Sequence, residues 1–250
     1  MFLSSLEDGV RRTDTIDLYA GAQIDNAVGG VFDIASSSYQ IALQDSSTVS
    51  FNNAGTLEEG MSNTGSVVPF NGVVLNNTGT VAVSEGTLQL NDGGSSTGTW
   101  NADGGGIDFN GGTFNVNSGS VLESSGTGAI GVSGSAVVNV ATGQTIGDLQ
   151  ISGGVLNLSA QVNAGSWSFT GGTVEGTGTL NVTGTGNWNN NNGMEEAALE
   201  VASGATLTIS SNASVSGATL TNDGTVDWTN GSIDRVRPTN PVYREASGNE

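Results

Sequence analysis

The residues of this sequence whose types and spacing could do chemistry are acidic. Asp103 and Asp108 flank the glycine run of DGGGIDFNGG, and Asp92 precedes them. Glycoside hydrolysis uses a pair of carboxyl groups that flank the scissile bond, so these three aspartates are candidates if the fold gathers them on one face. The alternative, which we favour, is that they are turn residues chosen for their backbone conformations. The same stretch is similar to glycine- and aspartate-rich calcium-binding repeats, but it has no tandem copy.

Composition excludes several other kinds of active site. The chain contains no cysteine, no histidine and no lysine. A serine nucleophile would therefore lack its usual base, zinc would lack its best ligands, and a phosphate-binding loop would lack its lysine. We expect no catalytic residue, no metal site and no cofactor, and we predict that the protein is not an enzyme.

One aromatic residue stands among amides and is a candidate for sugar binding. Trp188 lies within the asparagine run NWNNNNG. An exposed indole could stack on a sugar ring while Asn189 and Asn190 bond its hydroxyl groups, so these three residues are the predicted glycan contact. The alternative is a partly buried tryptophan that anchors a polar loop. The remaining tryptophans occupy inward positions of predicted strands and are expected in the core: Trp100, Trp167 and Trp228.

The charge distribution limits the partners. The formal net charge is -19, and all five basic residues are arginines outside the stretch from Thr13 to Asp234. Such a surface repels nucleic-acid phosphates and anionic lipid headgroups, so we expect no nucleic-acid partner. No apolar run approaches the ~20 residues that a membrane-spanning helix needs, so we expect no direct membrane insertion. The first residues do not form a signal peptide, and we expect the sequence to be part of a longer chain.

A short motif recurs along the sequence: two apolar residues on either side of a residue that is usually polar. Alternation with period two is typical of a strand with one buried face. The triplets come in pairs offset by seven or eight residues, and the pairs recur about every 24 residues. Examples are Leu88-Gln89-Leu90, Phe114-Asn115-Val116, Val138-Asn139-Val140, Leu156-Asn157-Leu158 and Leu180-Asn181-Val182.

This repeat predicts an all-β fold, a right-handed parallel β-helix (β-solenoid) with coils of about 19–27 residues and two strands per coil. The alternative fold is an antiparallel β-sandwich. One continuous inward stack is expected for Leu88, Phe114, Val138, Leu156 and Leu180. One outward ladder, in which stacked amides hydrogen-bond, is expected for Gln89, Asn115, Asn139, Asn157, Asn181 and Thr208.

The rhythm of the repeat divides the chain into three parts. Residues 1–44 follow it loosely and are interpreted as an irregular start or cap. Residues 45–233 form the predicted solenoid, with an insertion near 187–199 that leaves the coil as a loop or protrusion. Residues 234–250 are polar, contain two prolines and are predicted to be a disordered tail.

The glycine- and threonine-rich coils at 76–94 and 199–228 resemble the repeat regions of bacterial surface proteins. These are the passenger domains of autotransporters and related filamentous adhesins, and the likeness covers roughly residues 45–233. The resemblance implies a parallel β-helix, export, and display outside a bacterial cell. It implies a non-enzymatic structural or adhesive role, with host or matrix glycans or proteins as partners. The sequence shows neither a signal peptide nor a membrane-barrel signal, so attachment to a cell comes from the analogy alone.

Overall fold

The fold is an all-β solenoid of stacked parallel strands. The computed structural model describes residues 15–19, 21–34, 40–43, 49–60, 65–191 and 193–236. Within these ranges there is no helix, and the paired strands run parallel, for example at Phe114 with Val138 and Leu207 with Val226. The predicted parallel β-helix is confirmed, and the alternative antiparallel sandwich is wrong.

The strands, numbered in chain order, form three columns that we call the first, second and third faces. The first face contains β1 Thr15–Leu18, β4 Gln40–Leu43, β7 Val67–Asn71, β10 Thr87–Leu90, β13 Gly106–Phe109, β16 Ala129–Val132, β23 Thr206–Ile209 and β26 Thr225–Trp228. The second contains β2 Gln23–Asn26, β5 Val49–Asn53, β8 Val73–Asn77, β11 Gly94–Ser96, β14 Thr113–Val116, β17 Val137–Val140, β21 Gly193–Glu195, β24 Ala213–Ser216 and β27 Ile233–Val236. The third contains β3 Val31–Ile34, β6 Thr56–Glu59, β9 Thr80–Val83, β12 Thr99–Asp103, β15 Val121–Ser125, β22 Ala198–Val201 and β25 Leu220–Asn222.

Three longer strands bend around the corners and belong to more than one face. They are β18 Gln144–Leu158, β19 Gln161–Gly176 and β20 Thr179–Trp188. Within β18, Leu149 continues the first face by pairing with Ile130, and Leu156 continues the second by pairing with Val138. Glycines allow such bends because they tolerate close backbone approach. At Gly147 in β18, for example, a Cβ atom would lie 2.3 Å from the carbonyl oxygen of Ser124 in the coil below.

Each coil has three strands, not the predicted two. The offset between stacked residues is 18 where Asn157 lies on Asn139, and 27 where Asn53 lies on Asn26. The strands recognised in the sequence come from all three faces, since Leu88 lies on the first, Phe114 on the second and Leu180 on the third. The third strand of each coil was not recognised as a separate column because several of its inward positions carry side chains such as Ala102 and Gln144 instead of a regular apolar pair.

The core is one continuous column inside the solenoid. Its buried residues include Trp100 and Trp167, as the sequence predicted. Trp100 packs with Phe109 and Phe114 of the neighbouring coil, and Trp167 packs with Phe169. Trp228 also occupies an inward register position, opposite Ile209, but it is 55% exposed because it belongs to the last turn that the structure describes.

The predicted single inward stack and single outward ladder are both wrong in detail. Leu88 lies on the first face, Leu180 on the third, and Phe114, Val138 and Leu156 on the second, although all five are buried. The outward residues divide in the same way. Gln89 and Thr208 are on the first face, Asn181 is on the third, and Asn115, Asn139 and Asn157 are on the second.

The third face is interrupted between β15 and β18, where a buried glutamine replaces the backbone ladder. Gln144 is 4% exposed, and its Oε1 accepts a hydrogen bond of 2.7 Å from the Leu122 N–H. Its Nε2 donates to the carbonyl oxygens of Ser120 and Thr142 at 3.1 and 3.2 Å. The side chain thus satisfies backbone groups that would otherwise be buried without a partner.

The boundaries of the solenoid differ from those predicted. The described part of residues 1–44 is not an irregular cap, since β1 pairs with β4 and β3 pairs with β6. The predicted insertion at 187–199 is wrong because Trp188, Met194 and Leu199 are buried and keep the coil register. At the other end, β27 extends to Val236, and the rest of the predicted tail lies outside the described residues.

Candidate functional site

The predicted glycan contact at Trp188 is part of the core. The indole is 0% exposed and packs against Trp167 and Phe169 at centroid distances of 5.9 and 5.5 Å. Its Nε1 donates to the Asn190 carbonyl oxygen at 3.0 Å, and the Asn190 amide donates to the Gly172 carbonyl oxygen at 3.0 Å. The expectation of an exposed indole is therefore wrong: Trp188 anchors a polar turn. Asn189 is the one exposed member of the predicted trio.

The three candidate aspartates lie at different places in the coil. Asp108 points outward from the first face, where the Ser133 hydroxyl donates to its two oxygens at 2.7 and 2.8 Å. Asp103 ends a strand of the third face and accepts a hydrogen bond from Ser125 Oγ at 2.6 Å. Asp92 lies in a turn and accepts a hydrogen bond from the Gly72 N–H. Each carboxylate therefore has a structural partner in a neighbouring coil.

The second face carries the longest run of stacked amides, and we call it the amide ladder. Its upper part consists of Asn115, Asn139 and Asn157. The Asn139 amide donates to Asn115 Oδ1 at 2.9 Å, and the Asn157 amide donates to Asn139 Oδ1 at 3.2 Å. Its lower part runs through Asn52 and Asn76 in the same way, with bonds of 2.9 Å to Asp25 and 3.0 Å between the two asparagines. The predicted ladder is thus present on this face.

Beyond Asn157 the same column becomes acidic. Glu175 is in register with Asn157, and Glu195 is in register with Glu175. Together with Glu196 they line a shallow depression of about 420 Å³. Glu196 is the only non-glycine residue with a positive φ, 65°, among the described residues, so its backbone turns sharply at the edge of this depression. A similar depression on the first face, of about 300 Å³, is lined by Gln89, Asp108 and Gln150 among others.

A second amide ladder is hidden at the corner between the second and third faces. Asn26, Asn53 and Asn77 are 8%, 1% and 0% exposed. The Asn26 amide donates to Asn53 Oδ1 at 2.8 Å, and the Asn53 amide donates to Asn77 Oδ1 at 2.9 Å. The same amides also donate to carbonyl oxygens of the neighbouring strand, such as Thr80 O at 2.8 Å. Such fully bonded buried amides fix how the coils stack. The sequence shows them only as turn residues in NNAGT and NNTGT.

The most unusual polar group is Glu59, which occupies an inward position at the end of β6. It is 1% exposed, and neither carboxyl oxygen has a hydrogen-bond partner among the described residues. Burial raises the pKa of Glu59 from its ordinary 4.5 to about 7, and repulsion from Glu85 acts in the same direction. By contrast, hydrogen bonds from Gln23 and Asn52 lower the pKa of the exposed Asp25. Nothing in the sequence distinguishes Glu59 as the inward residue, because Glu58 beside it is equally acidic.

Comparisons with known proteins provide no family for this chain. No family model matches it, and no curated protein and no solved structure is detectably similar. In the described part of the chain, no three histidine, cysteine, aspartate or glutamate side chains converge on a possible metal position. The described residues also contain no helix that is long and apolar enough to cross a membrane. The surface that the solenoid presents is therefore the feature from which a function can be inferred.

Proposed function

We propose that this chain is a non-enzymatic structural and adhesive segment of a longer bacterial β-solenoid protein, displayed at the cell surface or secreted. The observation that carries the proposal is the stack of coils from β1 to β27, in which the first and second faces continue from coil to coil. With a strand spacing of about 4.8 Å, this stack is a rod on the order of 50 Å long. Such a rod keeps a binding part at a distance, or presents its own faces to a partner.

The amide ladder is the surface that suits adhesion. It repeats side chains of one kind at a spacing of about 4.8 Å, the strand spacing. Each amide has both a donor and an acceptor, so it can bond sugar hydroxyls or peptide groups. Single contacts of this kind are weak, and binding would come from several engaged at once. We therefore propose glycans or matrix proteins as partners.

The composition of the chain supports the non-enzymatic part of this proposal. The chain has no histidine, cysteine or lysine, and the candidate aspartates lie on different faces. The acidic surface, without a positive residue from Thr13 to Asp234, favours solubility through self-repulsion. It also favours partners that are neutral or basic over nucleic acids.

The test is binding of the chain, displayed in many copies on beads, to arrays of glycans and matrix proteins. We expect the displayed chain to bind, and the free chain to bind far more weakly. The triple variant Asn115→Ala, Asn139→Ala, Asn157→Ala should lose this binding. A matched triple alanine variant on the first face, at Gln150, Ser168 and Thr208, should retain it.

Two results would overturn the proposal. One is that multivalent display produces no binding to any neutral glycan or matrix protein. The other is release of reducing sugar from a polysaccharide, abolished by Asp103→Asn or Asp108→Asn, which would show an enzyme.

A further inference from the structure

The three faces of the solenoid do not continue equally from coil to coil at the level of Gln144. On the first face β16 pairs with β18, and on the second face β17 pairs with β18. On the third face the strands from β3 to β15 form a sheet of their own, and no strand pairing among the described residues joins β15 to the coil above. One of the three backbone ladders is therefore absent at this level.

Side chains bridge the gap on the third face. Gln144 bonds backbone groups of Ser120 and Leu122 in the coil below. The Ser124 hydroxyl accepts a hydrogen bond of 2.7 Å from the Asp148 N–H. Such a bridge holds two coils together less well than a ladder does, because each side chain must lose its rotamer freedom before it can bond.

The core is also incompletely filled at this level. An apolar void of about 10 Å³ lies next to Leu122 of the coil below and Ile146 of the coil above, which are both buried. Atoms that line a void have no contact partner on one side, so they lose dispersion attraction between the two coils. The junction is therefore weaker in its packing as well as in its hydrogen bonds.

The aromatic side chains of the core form separate groups on either side of this level. Trp100 packs with Phe109 below it, at a centroid distance of 5.6 Å. Trp167 packs with Trp188 above it, at 5.9 Å. Residues 115–166, which lie between the two groups, include no aromatic residue. Aromatic side chains bury the largest apolar areas in a core, so the junction lacks the strongest packing groups of the chain.

We propose that the level of Gln144 is a seam at which the solenoid divides into two cooperative units. The lower unit contains the strands from β1 to β15, the upper unit contains those from β18 to β27, and β16 and β17 lie between them. In a repeat protein each coil is stabilised by its neighbours, so cooperative unfolding breaks first at the weakest junction. The missing ladder, the void and the division of the aromatic groups coincide at this one junction.

The lower unit opens first in this arrangement. It contains the buried carboxyl of Glu59, whose oxygens have no hydrogen-bond partner among the described residues, and such a group costs stability. The upper unit is joined more continuously, because β18 and β19 stay paired around the third, first and second faces. A rod pulled from its ends would thus lengthen by unfolding one part while the other part keeps its fold. This consequence for a surface protein rests on the proposed function, whereas the seam does not.

The test is hydrogen exchange of the full chain at low denaturant concentrations, followed by mass spectrometry of its peptides. Peptides from 65–125 should exchange through an opening whose equilibrium constant is about tenfold or more larger than that for peptides from 161–209. The boundary should fall between β15 and β18. Equal protection on the two sides, a boundary elsewhere, or earlier opening of the upper unit would overturn the proposal.

Two variants test the side-chain bridge. Gln144→Leu removes it and should increase the opening constant of the lower unit about 30-fold, with no change in the upper unit. Gln150→Leu makes the same substitution at an exposed position of the same strand and should change neither unit. An equal loss of protection in both units, or no loss in either, would contradict the seam. The wild-type exchange pattern decides the proposal if Gln144→Leu does not fold. No partner is present in these measurements, so a negative result leaves the adhesive role to its own binding test.

Discussion

The buried carboxyl of Glu59 should make the chain lose stability as the pH rises toward neutrality in metal-free buffer. The pKa of Glu59 is raised from 4.5 to about 7 in the folded chain, mainly by burial and secondarily by Glu85. Below the unfolded pKa the side chain is protonated in both states, so it contributes no pH dependence there. As the pH rises further, the unfolded chain ionises while the folded chain keeps the proton, and the free energy of unfolding decreases until the folded pKa is reached.

The magnitude follows from the size of this shift. Each pKa unit corresponds to about 1.4 kcal/mol, so a carboxyl that moves from 4.5 to about 7 costs up to about 3 kcal/mol at pH 8. For a chain of this size, 1 kcal/mol changes the melting temperature by about 2–4 °C. Glu59→Gln retains the shape of the side chain but cannot ionise. We therefore expect it to be more stable than the wild-type chain at pH 8 and close to it at pH 4.5.

The assay is denaturant unfolding in EDTA across this pH range, followed by the fluorescence of the buried tryptophans. The informative quantity is the difference in unfolding free energy between variant and wild type, because the other carboxylates titrate in both proteins. This difference should increase by up to about 3 kcal/mol between pH 4.5 and pH 7 and stay constant above. Glu58→Gln, exposed on the same strand, should give a flat difference. A flat difference for Glu59→Gln as well would refute the burial argument.

Three further substitutions test the buried polar groups and the coil corners by denaturant unfolding. Asn53→Ala breaks the hidden amide ladder and should cost about 2–4 kcal/mol; a cost below about 1 kcal/mol would contradict its role. Gln144→Leu leaves backbone groups of the adjacent coil without partners and should cost about 2–3 kcal/mol, whereas a neutral effect would show that the third face can re-form. Gly128→Ala places a Cβ atom against the carbonyl oxygen of Ala102 and should cost about 2–3 kcal/mol. In Gly143→Ala the new Cβ atom would lie 3.5 Å from the Gln161 carbonyl oxygen, an ordinary contact, so this variant should be neutral or slightly stabilising. Equal costs for the two glycine variants would contradict the close-approach argument.

The fold class could be predicted because alternation is a strong signal wherever both apolar residues of a strand are large. Leu88, Phe114 and Val138 mark the first and second faces clearly, and all three are buried. The third face is weaker, because its inward positions include Ala102 and the polar Gln144. A count of triplets therefore assigned two strands to every coil, although Leu180-Asn181-Val182, which it included, lies on the third face.

The buried polar side chains could not be predicted either, and here the physical reason is different. A solenoid corner leaves backbone carbonyl and N–H groups at the edge of the core, and a buried amide satisfies them better than an apolar side chain does. Asn53 and Gln144 perform this task, but in the sequence they are the same residue types as exposed asparagines and glutamines. Whether a given amide points inward depends on which residue ends the strand. Trp188 shows the converse, since its polar neighbours suggested exposure while its register placed it in the core.

The positions of the acidic side chains follow the same logic, and this is why the aspartates selected from the sequence do not lie on one face. Asp103 and Asp108 are close in sequence, but a corner between them turns one to the third face and the other to the first. Glu59 and Glu85 are a full coil apart in sequence, and stacking brings them to one corner. In a solenoid, chemistry is assembled between residues one coil apart and not between near neighbours along the chain. Any site in this protein must therefore be sought along a column of the stack. Like charges meet in this way at Glu59 with Glu85, at Glu175 with Glu195 and at Asp33 with Glu58.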